Sequence, residues 1–176
     1  MTILTRTPEN TNLLQPTKFI LTFDRIPDVQ YFCQEVNIPG VSMPEAQVHS
    51  PFHNYTVAGM NIQYSPLNIK FQINENVSSW KSLYEWFLAI SSPVSFEERN
   101  KYKFLQNQGK ENPFPSYSEA VLTVLSNLNN PLLRIHFHQV FPTQLSDITF
   151  DTTLSADHII TAQASFSYEY FEFTEH

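Results

Sequence analysis

Leu67-Asn-Ile-Lys-Phe-Gln-Ile73 alternates apolar and polar residues without a break, and a helical pattern follows it within one turn. Successive side chains of a strand point to opposite faces, so Leu67, Ile69, Phe71 and Ile73 share the inward side. From Trp80 the period changes. Trp80, Leu83, Tyr84, Phe87 and Leu88 recur at i, i+3, i+4, i+7 and i+8, the spacing of one apolar stripe on a helix. Lys81, Ser82 and Glu85 fall outside it. The spacing predicts a core helix over about 77–91, capped by Asn76 or Ser78 and limited by Pro93. A lone amphipathic helix cannot bury its own stripe, so it must pack on sheets.

Strand patterns lie on both sides. In Thr17–Phe23, Phe19, Leu21 and Phe23 face one way, with Lys18 and Thr22 on the other side. Phe32, Val36 and Ile38 repeat the alternation until Pro39-Gly40 stops it. Segment 41–66 is broken by Pro44, Pro51, Gly59 and Pro66, with short strand-like pieces between. Residues 120–126 and 132–141 flank the turn-like Asn127-Leu-Asn-Asn-Pro131. In the second of these, Leu133, Ile135, Phe137 and Phe141 are expected inward, and Arg134, His136 and His138 outward. A last strand over about 158–173 places Ile160, Ala162, Ala164, Phe166, Tyr168 and Tyr170 inward, then switches to Phe171 and Phe173, as a bulge would cause. The expected fold is mainly β: an antiparallel sandwich or barrel of about seven or eight strands with one flanking helix. Residues 1–16 read as a flexible arm before a single domain over 17–176. That domain includes a long linker at 91–118 carrying Glu97-Glu98-Arg99, Lys101, Lys103, Lys110 and Glu111.

Composition narrows the function. The chain has 176 residues, 41% hydrophobic and 14% aromatic, enough for one packed domain. Only 3 residues are Gly, against ~7% in average usage, so glycine-rich phosphate loops are all but excluded. One cysteine excludes a disulfide framework. The net charge of -7 leaves too few cations to wrap nucleic acid. The start, Met1 to Asn10, lacks the basic and apolar regions of a signal peptide, and no stretch reaches the ~20 apolar residues of a membrane helix. Synthesis and retention in a cytosol-like compartment are expected, with Asn54-Tyr-Thr56 and Asn76-Val-Ser78 as chance glycosylation triplets.

No constellation of catalytic residues emerges. His136-x-His138 puts two imidazoles on one strand face but lacks the further ligands zinc takes. His49 and His53 flank Pro51, which prevents a helix from aligning them. Cys33 has no basic neighbour to activate it. Asp147, Asp151 and Asp157 match no calcium-loop spacing. Trp80, Tyr84, Trp86 and Phe87 read as core rather than as a ligand platform. No metal, cofactor or catalytic site is expected. Residues 135–176 hold six carboxylates (Asp147, Asp151, Asp157, Glu169, Glu172, Glu175) and no Lys or Arg. Together with the Ser/Thr/Gln strand face, they suggest a surface that repels polyanions.

The ordered series Pro16-x-x-Phe19, Val36-Asn-Ile-Pro-Gly40, Ser65-Pro-Leu67, Phe71-x-Ile-Asn-Glu75 before the helix, Phe141-Pro-Thr143, Leu145-Ser146, Phe150-Asp151 and Ala162-x-Ala-x-Phe-x-Tyr168 resembles the tail tube proteins of contractile-tailed bacteriophages. The likeness includes relatives that start the tube at the baseplate or end it near the neck. It covers about 12–173 and is weakest over the linker. It implies a structural, non-enzymatic virion protein made in the host cytoplasm, with hexameric rings stacking into a tube. Its partners would be its own copies, neighbouring rings, sheath, baseplate or neck proteins. DNA would pass through the lumen without specific binding, and no membrane would be involved. The resemblance also makes Ser42–Tyr64 the loop that contacts the next ring, with Met43, Pro51, Phe52, His53, Tyr55 and Gly59 as stacking residues. The main alternative is a small-ligand-binding β-barrel, which the large inward side chains argue against. A hydrolase is a third class, without a paired acid and base to support it.

Overall fold

A computed structural model describes residues 12–91, 97, 117–153, 155 and 159–175. Most of the expected N-terminal arm, nearly all of the 91–118 linker with Pro93, and Asp157 lie outside these residues. Among the described residues there are eleven strands and two helices. The chain is mainly β, with the sandwich character expected.

The main sheet has the order β1-β8-β9-β10-β7-β2, and β11 pairs with β9. These strands are Phe19–Phe23 (β1), Cys33–Val36 (β2), Leu67–Gln72 (β7), Ser118–Leu125 (β8), Pro131–Leu145 (β9), Thr161–Ser167 (β10) and Tyr170–Glu175 (β11). Every pairing is antiparallel. The 15-residue β9 joins two layers. Its first half lies between β8 and β11, and its second half pairs with β10. Gln139 makes the corner, at φ 54 in the left-handed region. The corner resets the alternation: Ile135 and Phe137 are buried before it, Val140 and Pro142 after it. Phe141 therefore leaves the inward row in which the sequence placed it, and packs edge-on against Tyr117. The expected last strand is divided for the same reason. It breaks at Tyr168-Glu169, where the Glu169 N–H donates to the His138 carbonyl at 3.0 Å. Tyr170 turns outward and stacks on His138, with ring centroids 4.6 Å apart.

The alternation at Phe32, Val36 and Ile38 predicts a strand that starts at Phe32. Instead a short helix, α1 (Pro27–Phe32), precedes β2. Pro at its first turn costs no hydrogen bond and presets the helical φ. The second helix, α2, runs Ser78–Ile90. Its first turn is held by Asn74, not by Asn76 or Ser78: the Asn74 side-chain oxygen accepts the Ser78 N–H at 2.8 Å, and its amide donates to Ser78 Oγ at 2.7 Å. Val77, at φ 56, turns the chain between them. The face turned fully inward runs through Ser79, Leu83, Trp86 and Ala89. Trp86 is 0% exposed and meets Phe166 at 5.9 Å, which in turn meets Phe23 at 5.0 Å. The Arg25 guanidinium lies 5.1 Å from the Trp86 ring centre, an arrangement that suits a cation over an aromatic face. Phe23, Phe71, Phe137, Phe166 and Trp86 are all fully buried, so large rings fill the interior.

Candidate assembly surface

Between β2 and β7 the chain leaves the sandwich as a long hairpin. Val41–Ser42 (β3) pairs with Gln63–Tyr64 (β6), and Glu45–His49 (β4) pairs with Asn54–Ala58 (β5). Neither pair joins the main sheet. The register Ala46↔Val57 and Val48↔Tyr55 puts four apolar side chains on one face. Glu45, Gln47, His49, Asn54 and Thr56 occupy the other. Past this ladder the same arm exposes Val41, Met43, Met60 and Ile62. Phe52 at the tip is 95% exposed and Met60 is 100% exposed. Over residues 38–64 the only Asp, Glu, Lys or Arg is Glu45.

Specific contacts hold the arm in shape. At its root the Ser65 N–H donates to the Gly40 carbonyl at 2.9 Å. The Tyr64 ring packs against Phe171 at 5.3 Å and Tyr168 at 5.8 Å. The Tyr168 hydroxyl donates to the Ser65 carbonyl at 2.8 Å. Burial, with Tyr64 adding a smaller effect, pushes the Tyr168 hydroxyl up to about 12. Halfway out, the Gly59 N–H donates to the Pro44 carbonyl at 2.8 Å. At the tip His49 Nδ1 and Asn54 Oδ1 lie 3.0 Å apart, and His53 packs on Tyr55. A two-stranded hairpin is marginal in water on its own, and here its apolar face is left open to solvent.

The residues expected to make stacking contacts all sit on this arm. Met43, Pro51, Phe52, His53 and Tyr55 are exposed, and Gly59 is half-buried at the pinch with Pro44. Sequence reasoning missed Ala46, Val48, Val57, Met60 and Ile62. The alternation of Ala46, Val48 and Val57 across two strands becomes visible only once the pairing register is known, while Met60 and Ile62 lie beyond that ladder. Among the five residues expected on the core stripe of α2, Leu83 and Leu88 are buried, Trp80 and Phe87 are half-buried, and Tyr84 is 45% exposed. Trp80 also donates from Nε1 to the Ser146 carbonyl at 3.0 Å.

The other candidate groups have structural partners. His138 Nδ1 lies 3.0 Å from Glu119 Oε2, and His136 stands opposite Glu172. Asp151 accepts both the N–H and the hydroxyl of Thr153, at 2.8 and 2.7 Å, which holds its carboxyl below the usual range. Cys33 is half-buried, and burial pushes its thiol up to about 11. Among the described residues no three His, Cys, Asp or Glu side chains gather to hold a metal, and no helix is long and apolar enough to cross a membrane. The single acidic surface expected from residues 135–176 is divided. Thr161, Gln163, Ser165 and Ser167 lie on β10 beside Asn68, Lys70 and Gln72 of β7. Glu172 lies on β11, Glu169 at the corner, and Asp147 and Asp151 in the loop after β9. The corner in β9 separates what the linear sequence had placed together.

The chain thus combines antiparallel β-layers and a flanking helix with a projecting hairpin whose one charged residue is Glu45. The chain belongs to the phage tail tube protein family, whose profile matches residues 9–174. It is 27% identical over 168 residues to the tail tube terminator protein of Enterobacteria phage T4, covering 92% of this chain and 89% of that one. Its fold is similar to the tube-terminating cap of the anti-feeding prophage, with a TM-score of 0.62, 14% identity and full coverage of both chains. It is also similar to a chain in the sheath/tube terminator structure of the PVC extracellular contractile injection system in its extended state. There the TM-score is 0.61 at 14% identity, over 94% of this chain and 99% of that one.

Proposed function

We propose that this chain is a structural tail protein whose copies form a hexameric ring closing the neck-proximal end of a contractile phage tail tube. The observation that carries this reading is the arm: a hairpin held away from the sandwich, with Glu45 as its one charged residue and one apolar face in water. Such a face gains from burial at ~25 cal/mol per Å², and a second molecule must supply the cover. The relationship to a tail tube terminator supports the terminal position rather than a repeated one along the tube. The ring would meet the last tube ring on one side, and sheath and neck proteins on the others. DNA would pass through its lumen without specific binding. The β10 and β7 face supports passage, since its hydroxyls and amides carry Lys70 as their one cation, opposite Glu35. The role is non-enzymatic, with synthesis in the host cytoplasm and a final place in the virion tail.

The test uses tail tubes assembled without this chain. Purified chain is added, and tube ends are imaged by negative-stain electron microscopy. A single added ring at one end, with elongation arrested, is the expected result. Incorporation all along the tube, or no occupancy of either end, contradicts the terminal role.

A further inference from the structure

We propose that the arm of one copy seats its tip in a leucine-lined groove on a second copy, at the β8–β9 turn. This rests on the assembly role proposed above and names the surface that receives the arm. The groove has a volume of about 190 Å³ and is lined by Asn12, Leu13, Leu14, Ser126, Asn127, Leu128 and Leu132. Leu13 is 86% exposed and Leu128 is 82% exposed.

The turn beneath the groove is built rather than loose. Ser126 Oγ accepts the N–H groups of Leu128 and Asn130 at 3.3 and 3.2 Å. The Ser126 N–H donates to the Asn130 carbonyl at 2.8 Å, and Lys18 Nζ donates to the Asn127 carbonyl at 2.6 Å. Asn129 adopts φ 64, which Asn tolerates better than most residues. With these groups satisfied, the turn holds Leu128 out in water at its apex.

Charge selects the occupant. Each copy carries -7, so copies repel unless they meet over uncharged faces. Residues 12–14 and 126–132 contain no charged side chain, and the arm contains only Glu45. One face projects and the other is recessed, and no arm residue lines the groove of its own chain. A projection and a recess on one molecule meet between copies as a heterologous contact, the kind that closes rings or continues stacks. The sizes also match: a cavity of about 150 Å³ accepts a benzene-sized ring, and Phe52 presents such a ring at the tip.

The test removes the native thiol with Cys33→Ser, then adds Phe52→Cys or Leu128→Cys in two separate proteins. The two are mixed with tube ends present and oxidised with copper-phenanthroline. The expected result is a disulfide-linked dimer in the mixture, at least tenfold above either protein alone. A parallel variant, Leu128→Asp with Leu132→Asp, is expected to melt as the parent does and to lose ring formation at least tenfold. Rings that form normally in that variant, or in a mixture that does not cross-link, overturn the groove while leaving the assembly role standing. A parent protein that forms no rings on tube ends removes both.

Discussion

A Cβ at position 59 would lie 2.3 Å from the carbonyl oxygen of Pro44, a distance real Cβ atoms essentially never show. Gly59 is thus fixed by close backbone approach across the arm. Gly59→Ala is expected to break the Gly59–Pro44 hydrogen bond and shift the hairpin register. The arm stands off the sandwich, so global stability should fall by less than about 1 kcal/mol while assembly is lost. Calorimetry and light scattering on the same sample separate the two effects. A large loss of melting temperature would mean that the arm is part of the core.

The arm's root carries a pH signature. The Tyr168 hydroxyl titrates near 12 rather than near its ordinary 10. Its folded value is raised, so its contribution is complete below pH 10 and is lost as pH rises through 12. Tyr168→Phe should flatten stability against pH in that window. It should also cost about 1 kcal/mol at neutral pH, through the lost bond to Ser65. Denaturation curves at pH 8, 10 and 11.5 check both statements.

On α2 the two aromatic neighbours differ in weight. Trp86→Ala opens a cavity against Phe166 and is expected to cost about 3–5 kcal/mol. Tyr84→Ala removes an exposed ring stacked on Trp80 at 5.6 Å, and should cost less than about 1.5 kcal/mol. Urea titration of both variants distinguishes this from a helix whose core stripe runs through Tyr84.

Cys33 should be sluggish towards thiol reagents. Its thiol titrates near 11 rather than 9, so the reactive thiolate at pH 8 is depleted roughly a hundredfold. Maleimide labelling should lag a cysteine peptide by about that factor, and approach the peptide's rate after unfolding in urea. Equal rates in the folded protein would contradict the half-buried placement beside Glu35.

Much of the fold was legible because its period was clean. Leu67–Ile73 alternated without interruption, and β7 lies where that pattern put it. The helix of about 77–91 became Ser78–Ile90. Three features were not legible, each for a physical reason. Gln139 gives no residue-type signal for a positive φ, so the reset that removes Phe141 from the core was invisible, and Arg134, His136 and His138 looked like one end of a longer face. The sequence predicts Trp86 in the core, but its apolar spacing draws the stripe through Trp80 and Tyr84. The inward direction of a helix depends on what it packs against, and Phe166 is eighty residues further on. In the arm, Pro51 and Gly59 correctly marked breaks. Its apolar face arises from pairing Ala46 with Val57 and Val48 with Tyr55, and that register is a property of two strands together.

Assembly driven by the arm's apolar face can be tested directly. The most direct measurement compares the parent with a Tyr55→Lys, Val57→Lys double variant, by light-scattering mass and negative-stain imaging in the presence of tube ends. Both substitutions lie on the exposed apolar face, so melting should be unchanged. If the apolar face drives assembly, the parent forms rings and the variant stays as single chains. Rings of equal abundance in both would contradict it.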